Sequence, residues 1–330
     1  MKMRDTLGAP LRIGGYTAPC NVLLAPLAGY TDFAFRKLCY SFGAGLCFTE
    51  MVSAKGLLYG NEGTRRLLHR DPSEPQTAVQ LFGGDPAVMR AACESEDLAG
   101  FAHVDINMGC PVPKVYKNGE GSALLSDFPR AEKIVAACKK SGKTVSVKFR
   151  IGLDGGHVVA AEFARLCAGA GADMLTVHGR TRDKMYAGEP DYAAIAAAKN
   201  AVDIPVVANG GIFTRGDAQR MLGETGADGV MVARAAMYCP HVFAEILGRG
   251  GEWDVRAAIE GQIADMLPFY GERFTLVQMR KMAAFYLRGT RGGAGLRARL
   301  LACPSLGGLH ALLEEIFGGG AEGLTSGPVK

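Results

Sequence analysis

Eight short apolar segments recur along the chain, and each is followed by a turn-forming residue and then by a longer segment with helical spacing. They are NVLLAP, GLCFTEM, TAVQLFG, HVDINMG, TVSVKFR, MLTVHGR, PVVANGG and GVMVARA. The intervening segments, such as PAVMRAACESEDLAG and RGDAQRMLGETGA, place apolar residues at i, i+3 and i+4, which is typical of amphipathic helices. Strands that alternate with helices predict a parallel sheet.

Eight strand–helix units over roughly 230 residues match the size of a (β/α)8 TIM barrel. The alternative is a doubly wound sheet, which requires a GxGxxG turn after its first strand, and APLAGYTD contains none. We therefore predict a barrel over residues 1–243. Such barrels carry their chemistry at the C-terminal ends of the strands. The residues predicted there are Pro26, Ala28, Glu50, Gln80, Asn107, Cys110, Lys148, Arg150, His178, Arg180, Asn209, Gly210, Gly211 and Arg234.

The strand pattern stops after about Pro240, and helical spacing predicts a smaller all-helical domain over residues 244–318, followed by a disordered tail at 319–330. No acidic residue lies between Glu272 and Glu314, whereas basic residues are frequent there. A cationic helical surface is typical of proteins that bind a phosphate backbone; a solvated basic helix is the alternative. The basic residues are Arg273, Arg280, Lys281, Arg288, Arg291, Arg297 and Arg299.

Composition excludes several classes of protein. No apolar run approaches the roughly 18 residues of a membrane helix, and the N-terminus lacks the apolar core of a secretory signal, so a cytoplasmic protein without membrane contact is expected. The nine cysteines form no CxxC motif and no Cys/His pair at metal spacing. Neither a disulfide framework nor a metal site is therefore predicted.

The strand-end residues contain no carboxylate pair and no Ser/His/Asp set, which disfavours ordinary hydrolysis. The segments ANGGIFTRGDA and ARAAMYCP are typical of a phosphate site with Arg234, although plain turns are the alternative. Lys148 ends an apolar strand, where its ammonium would stabilise a reduced flavin or else extend to solvent. Gln80 and Asn107 are placed to hydrogen-bond a ring edge or loop backbone.

Six separated segments closely resemble, in order and spacing, the motifs of the tRNA-dihydrouridine synthases. They are APLAGYTD, QLFGGDP, DINMGCPVPKVYKNGEGSALL, VKFRIG, VHGRTRDKMYAG and VVANGGI, within a similarity that extends from about Asn21 to Phe243. Members of that family are FMN-containing TIM barrels with a C-terminal helical domain, and they reduce particular uridines of tRNA with NADPH. The resemblance therefore implies FMN and NADPH as cofactors and tRNA as the partner.

The resemblance also implies roles for individual residues. Cofactor contacts fall to Pro26, Leu27 and Ala28 beside the flavin, Gln80, Lys148 and His178 at its ring, and Asn209, Gly210, Gly211, Ala233 and Arg234 around its phosphate. For the substrate, Asn107 is expected to hold the uracil or the flavin edge, and Lys114, Arg180 and Arg182 to meet nucleotide phosphates at the rim. Further tRNA contacts are expected from Arg280, Lys281 and Arg288 in the helical domain. This chain departs from the family where Gly211 replaces a frequent aspartate, Ala233 a frequent glycine and Met282 a frequent histidine.

Reduction of uracil delivers hydride to C6 and requires a proton at C5 from the opposite face. Cys110 follows the fourth strand, and a thiol with a pKa of about 8.5 is largely protonated at pH 7, so we predict Cys110 as the proton donor. Packing is the common alternative for a free cysteine. The rival functions are an FMN oxidoreductase acting on a free pyrimidine, similar to dihydroorotate dehydrogenase, and a non-catalytic RNA-binding protein. We expect a monomer; the modified uridine positions do not follow from the sequence.

Overall fold

The structure is a computed structural model that describes residues 6–288 and 293–318. Arg291 and the predicted tail at 319–330 lie outside these residues. All eight predicted strands are present and are preceded by a two-stranded hairpin. The strands are β1 Leu11–Ile13, β2 Tyr16–Ala18, β3 Val22–Leu24, β4 Cys47–Ser53, β5 Thr77–Phe82, β6 His103–Met108, β7 Thr144–Arg150, β8 Met174–His178, β9 Val206–Asn209 and β10 Gly229–Val232.

The helices alternate with the barrel strands and then continue alone to residue 318. They are α1 Phe33–Ser41, α2 Ala54–Leu58, α3 Glu62–Arg66, α4 Pro86–Glu94, α5 Pro113–Lys117, α6 Phe128–Lys139, α7 Ala160–Gly169, α8 Tyr192–Asn200, α9 Arg215–Thr225, α10 Arg234–Tyr238, α11 Val242–Leu247, α12 Val255–Tyr270, α13 Glu272–Tyr286, α14 Gly293–Ala302 and α15 Leu306–Gly318. Short 3-10 helices span Glu96–Leu98 and Gly121–Ser126.

The barrel sheet is parallel, with the strand order β3-β10-β9-β8-β7-β6-β5-β4. Its two edges meet through backbone hydrogen bonds from Leu24 N to Leu46 O at 2.9 Å and from Gly45 N to Val22 O at 2.8 Å. The predicted TIM barrel is therefore confirmed.

Apolar side chains close the N-terminal end of the barrel interior. Phe48 and Met174 fill it from the strands, and Leu11 and Ile13 of the hairpin belong to the same apolar cluster. A packed interior of this kind is usual for a TIM barrel. Access to the interior is consequently from the C-terminal ends of the strands.

Local signals explain where the helices begin and end. Asp85 caps α4 by accepting hydrogen bonds from the second and third residues after it, and Pro86 occupies the first helical position. Thr214 and Asp217 form a reciprocal capping box at the start of α9, and Gly226 ends that helix with φ +66°.

Helix α12 packs beside the barrel against α1, α13 packs against α10 and α12, and α14 and α15 pack against α13. Helix α11 crosses residue 243, the predicted domain boundary, and packs against β3 and α9. We therefore propose that the barrel domain extends through α11 and that the helical domain begins with α12. Among residues 6–288 and 293–318, no helix is long and apolar enough to cross a membrane.

Candidate functional site

A cavity of about 570 Å³ lies at the C-terminal ends of the barrel strands; we call it the mouth cavity. Of the fourteen residues predicted at the strand ends, all but Glu50 line it. The pairing of β4 with β5 shifts register between Phe48 and Met51, so Met51 faces the cavity instead. Glu50 turns away and accepts a hydrogen bond from Gly29 N. The expectation for Glu50 was wrong because a bulge reverses the strand alternation.

The mouth cavity is cationic. Lys148, Arg150, Arg180 and Arg234 line it, and its described lining contains no Asp or Glu. Burial, together with the nearby Arg150, lowers the pKa of Lys148 to about 8. An anionic ligand is therefore favoured here, because four cations share a cavity whose described lining supplies no carboxylate to balance their charge.

His178 is neutral in this environment. Its side chain is buried, and burial together with Lys148 and three arginines lowers its pKa well below the usual value. Arg180 Nη1 lies 3.5 Å from His178 Nε2. Since an arginine only donates, Nε2 accepts and the ring proton lies on Nδ1.

The loop after β9 needs its glycines. Gly210 and Gly211 have φ angles of +129° and +69°, and a Cβ on Gly210 would lie 3.2 Å from His178. Asn209 anchors the start of the loop because its Nδ2 donates to Met231 O at 2.8 Å. The backbone can thus approach a ligand closely along this edge of the cavity.

Cys110 lies in a loop that is held on both sides. Asn107 Oδ1 accepts from Cys110 N at 2.9 Å, and Cys110 O accepts from the Ser122 hydroxyl at 2.8 Å. Arg150 Nε donates to Gly109 O at 3.0 Å. The side chain of Cys110 lines the cavity although the residue is only 9 % exposed. Burial raises the pKa of its thiol, so the thiol is protonated at neutral pH.

Aromatic side chains form part of the rim of the cavity, and sequence reasoning did not assign Tyr30 and Tyr186 to it. The centre of the Tyr186 ring lies 5.8 Å from the guanidinium carbon of Arg150 and 5.3 Å from that of Arg234. The ring centre of Phe285, from α13, lies 5.5 Å from that of Tyr30, and both residues line the cavity. The quoted segments APLAGYTD and VHGRTRDKMYAG contain Tyr30 and Tyr186, so the signal was present.

Two of the predicted substrate residues of the helical domain, Arg280 and Lys281, form hydrogen bonds within the protein. Arg280 Nη1 donates to Cys303 O at 2.8 Å. Lys281 Nζ donates to Gly29 O and lies 4.1 Å from the centre of the Tyr30 ring. Both side chains are thus engaged within the molecule.

The remaining predicted substrate residues lie closer to solvent. Arg288 is exposed and donates to the Tyr238 hydroxyl at 2.5 Å, beside the cavity rim. Lys114 is exposed on α5, and the Arg182 guanidinium stacks 3.7 Å from the centre of the Tyr116 ring. The structure brings Asn107 and Arg180 into the cavity lining, whereas Lys114, Arg182 and Arg288 are not part of that lining.

Among the described residues, a group of three side chains of types that can bind a metal was not anticipated. Ligand atoms of Cys239, His241 and Glu245 lie within 4.8 Å of one another. His241 Nδ1 is 3.4 Å from Glu245 Oε1, and the Glu245 side chain is about half exposed. The expected absence of Cys/His pairing thus overlooked a C-x-H-x3-E spacing.

A TIM barrel whose strand-end cavity is cationic and whose described lining contains no Asp or Glu is suited to an enzyme that binds a phosphate-bearing ligand. The chain matches the family described as dihydrouridine synthase (Dus) over residues 23–317 and belongs to that family. It is 39% identical over 318 residues to tRNA-dihydrouridine synthase B of Pseudomonas aeruginosa, covering 93% of this chain and 96% of that protein. It is 38% identical over 316 residues to probable tRNA-dihydrouridine synthase 1 of Synechocystis sp., covering 93% and 89%.

Solved structures of more distant proteins share the fold. Histamine dehydrogenase from Rhizobium sp. 4-9 aligns with a TM-score of 0.59 and 16% identity, covering 79% of this chain and 51% of that chain. The old yellow enzyme homologue from Zymomonas mobilis aligns with a TM-score of 0.53 and 14% identity, covering 78% and 96%. These likenesses confirm the barrel architecture.

Proposed function

We propose that this chain reduces uridine in tRNA to 5,6-dihydrouridine with FMN as its flavin and NADPH as the reductant of that flavin. The observation that carries the proposal is the mouth cavity itself. It combines four cations, a protonated thiol and an acid-free lining in one space. Such a site favours both a phosphate-bearing cofactor and a nucleotide, and it supplies a neutral proton donor.

The cavity residues fit FMN. Lys148 and Gln80 would hold the ring, since a buried ammonium stabilises negative charge on a reduced flavin. The positive-φ glycines and the Arg234 guanidinium would hold the phosphate. Further backbone contacts are proposed from Pro26, Leu27, Ala28 and Ala233, and a ring contact from His178. When bound and reduced, FMN supplies the hydride that C6 of uracil receives.

Cys110 is proposed to donate the proton that C5 requires. Its thiol keeps its proton at neutral pH because burial raises its pKa. Its loop is fixed by Asn107 at the backbone N–H and by Ser122 at the carbonyl. General acid catalysis from a fixed group is typically worth about 10²–10⁴-fold in rate.

The target base must leave the RNA stack to reach the cavity, which costs a few kcal/mol. Rim aromatics such as Tyr186 and Phe285 offset that cost, because stacking on an aromatic side chain contributes about 1–3 kcal/mol per base. Contacts of Arg180 with the nucleotide, and of Lys114, Arg182 and Arg288 with backbone phosphates, are proposed to add the salt-dependent part of the affinity. We further propose that the protein acts in the cytoplasm, as a monomer.

Deletion of the gene and mass-spectrometric mapping of tRNA tests the proposed function. We expect dihydrouridine to disappear from particular positions, to return with the wild-type gene and not to return with Cys110→Ala. Cys167→Ala is the matched control, because that thiol is buried within α7, away from the mouth cavity. Unchanged dihydrouridine in a strain without a second synthase contradicts the function, whereas full restoration by Cys110→Ala contradicts only the role of Cys110.

A further inference from the structure

A buried carboxylate lies beneath the mouth cavity without lining it. Asp105, on β6, is completely buried. Gln80 Nε2 donates to Asp105 Oδ2 at 2.6 Å, and Asn107 Nδ2 donates to Gln80 Oε1 at 2.9 Å. Asn107 Oδ1 in turn accepts from Cys110 N. An unbroken chain of hydrogen bonds therefore connects Asp105 to the loop that carries Cys110.

The second oxygen of Asp105 leads towards the closed end of the barrel. Ser146 Oγ donates to Asp105 Oδ1 at 2.6 Å and lies 2.8 Å from His103 Nε2. His103 Nδ1 is 3.2 Å from the Tyr16 hydroxyl of the hairpin. Both carboxylate oxygens of Asp105 thus accept a hydrogen bond: Oδ2 from Gln80, towards the mouth cavity, and Oδ1 from Ser146, towards the closed end of the barrel.

The donor and acceptor at each step of the hydrogen bonds from Cys110 to Asp105 follow from the groups at the two ends. An ionised carboxylate only accepts, so Gln80 must present its amide nitrogen to Asp105 and its oxygen to Asn107. A backbone N–H only donates, so Asn107 must present its oxygen to Cys110. The two requirements agree on a single orientation for both amides.

We propose that Asp105 is a positioning residue that sets the orientation of the Gln80 and Asn107 amides and thereby fixes the Cys110 loop. Its negative charge also acts on Lys148, which occupies the next inward position on β7 after Ser146. The attraction of Asp105 favours the protonated form of Lys148. The inference rests on the proposed function where it treats Cys110 as the acid and where its test uses FMN as the ligand of the mouth cavity.

Two variants separate geometry from charge. Asp105→Ala removes both, whereas Asp105→Asn keeps an oxygen for Gln80, offers an amide N–H to Ser146 and removes only the charge. Thr176→Val is the matched control, since the Thr176 hydroxyl is buried in the same barrel without a partner and outside this chain of bonds. Fluorescence titration with FMN and mass-spectrometric measurement of Cys110 alkylation by iodoacetamide are the readouts, and neither requires tRNA.

With Asp105→Ala we expect FMN affinity to fall about tenfold, the factor that corresponds to the loss of one well-oriented hydrogen bond to the ligand. Cys110 alkylation should become about fivefold faster, the factor expected when one hydrogen bond holding a loop is lost. Asp105→Asn and Thr176→Val should stay within about twofold of wild type in both measurements at pH 7. Asp105→Asn should also move the loss of FMN affinity above neutral pH to lower pH, because Lys148 loses its anionic neighbour.

A folded Asp105→Ala protein with wild-type FMN affinity and wild-type Cys110 alkylation would overturn the proposal. Asp105→Glu replaces it if the alanine variant does not fold: the glutamate keeps the charge but displaces the carboxylate by one methylene, and the same two losses are expected. Failure of the tRNA experiment alone leaves both readouts intact, so the two failures are distinguishable.

Discussion

Lys148 Nζ donates a hydrogen bond to Asn209 Oδ1 at 3.2 Å, which fixes an ammonium group inside the mouth cavity. Asn209 cannot turn its amide to release this contact without losing the bond from its Nδ2 to Met231 O. The ammonium is therefore held in place before any ligand enters. Preorganised charge of this kind is effective because little reorganisation is needed when the ligand binds.

FMN affinity should consequently depend on the protonation of Lys148. Burial lowers the pKa of this lysine to about 8, so its charge is present below pH 8 and is lost as the pH rises above it. We expect FMN affinity to fall between pH 7 and 9 in wild type and to be lower but nearly flat in Lys148→Met. Lys133→Met, at an exposed position on α6, is the control and should follow wild type. A Lys148→Met protein that keeps the wild-type decline contradicts this assignment.

The burial of Asp105 predicts a pH-dependent stability. Burial raises the pKa of Asp105 to about 6, against about 3.9 in an unfolded chain. Between pH 4 and 6 the folded state retains a proton that the unfolded state has released, so stability is lost as the pH rises. Two pKa units correspond to about 3 kcal/mol. Most of this change falls between pH 4 and pH 6, so urea unfolding should show the stability of Asp105→Asn, relative to wild type, increasing by about 2 kcal/mol over that range.

His103, two residues earlier on the same strand, predicts the opposite slope. Burial lowers its pKa to about 3, against about 6.5 when unfolded, so its contribution is lost as the pH falls below 6.5. His103→Gln should therefore gain stability relative to wild type as the pH falls from 6.5 to 4. Parallel slopes for Asp105→Asn and His103→Gln would show that at least one of the two groups is not titrating as the structure indicates.

The buried ion pair between Arg36 and Glu74 should contribute much more to the stability of the protein than an exposed ion pair does. Arg36 donates to Glu74 through Nε at 2.8 Å and Nη2 at 3.0 Å, and both side chains are buried. Removing one partner of a buried pair leaves an uncompensated charge and costs about 3–5 kcal/mol. We expect that loss for Glu74→Gln in urea unfolding monitored by circular dichroism. Glu94→Gln, in the exposed Arg90–Glu94 pair, should cost no more than about 0.5 kcal/mol; similar losses in both variants would contradict the role of burial.

The barrel was predictable from the sequence because its strands are buried on both faces and read as short apolar runs between turn residues. The hairpin was not recognised, because Leu11–Ile13 and Tyr16–Ala18 contain three residues each. Strands of that length show too little alternation for a pattern to emerge, and Gly14-Gly15 was the remaining signal.

Much of the candidate site was predictable because parallel strands bring their C-terminal ends to one edge. The exceptions depend on three-dimensional contacts that a linear pattern does not contain. Glu50 does not line the cavity, because the pairing of β4 with β5 shifts register between Phe48 and Met51. Lys281 contacts Gly29, which is 252 residues away in the chain, so its basic character alone indicated RNA where the structure shows an internal contact.

Lys281 and Arg288 should therefore respond differently to substitution. Lys281 holds the loop that begins at Pro26 and lines the cavity, so Lys281→Met should weaken FMN binding and lower the melting temperature. Arg288 is exposed at the rim, and Arg288→Ala should weaken tRNA binding while leaving FMN binding unchanged. Fluorescence anisotropy with labelled tRNA from 50 to 200 mM salt provides the measurement. Loss of one phosphate contact reduces the slope of log affinity against log salt by about one, which we expect for Arg288→Ala. If Lys281→Met shows the same reduction in slope and keeps its FMN binding, the result would instead support the contact between Lys281 and tRNA phosphate that the sequence predicted.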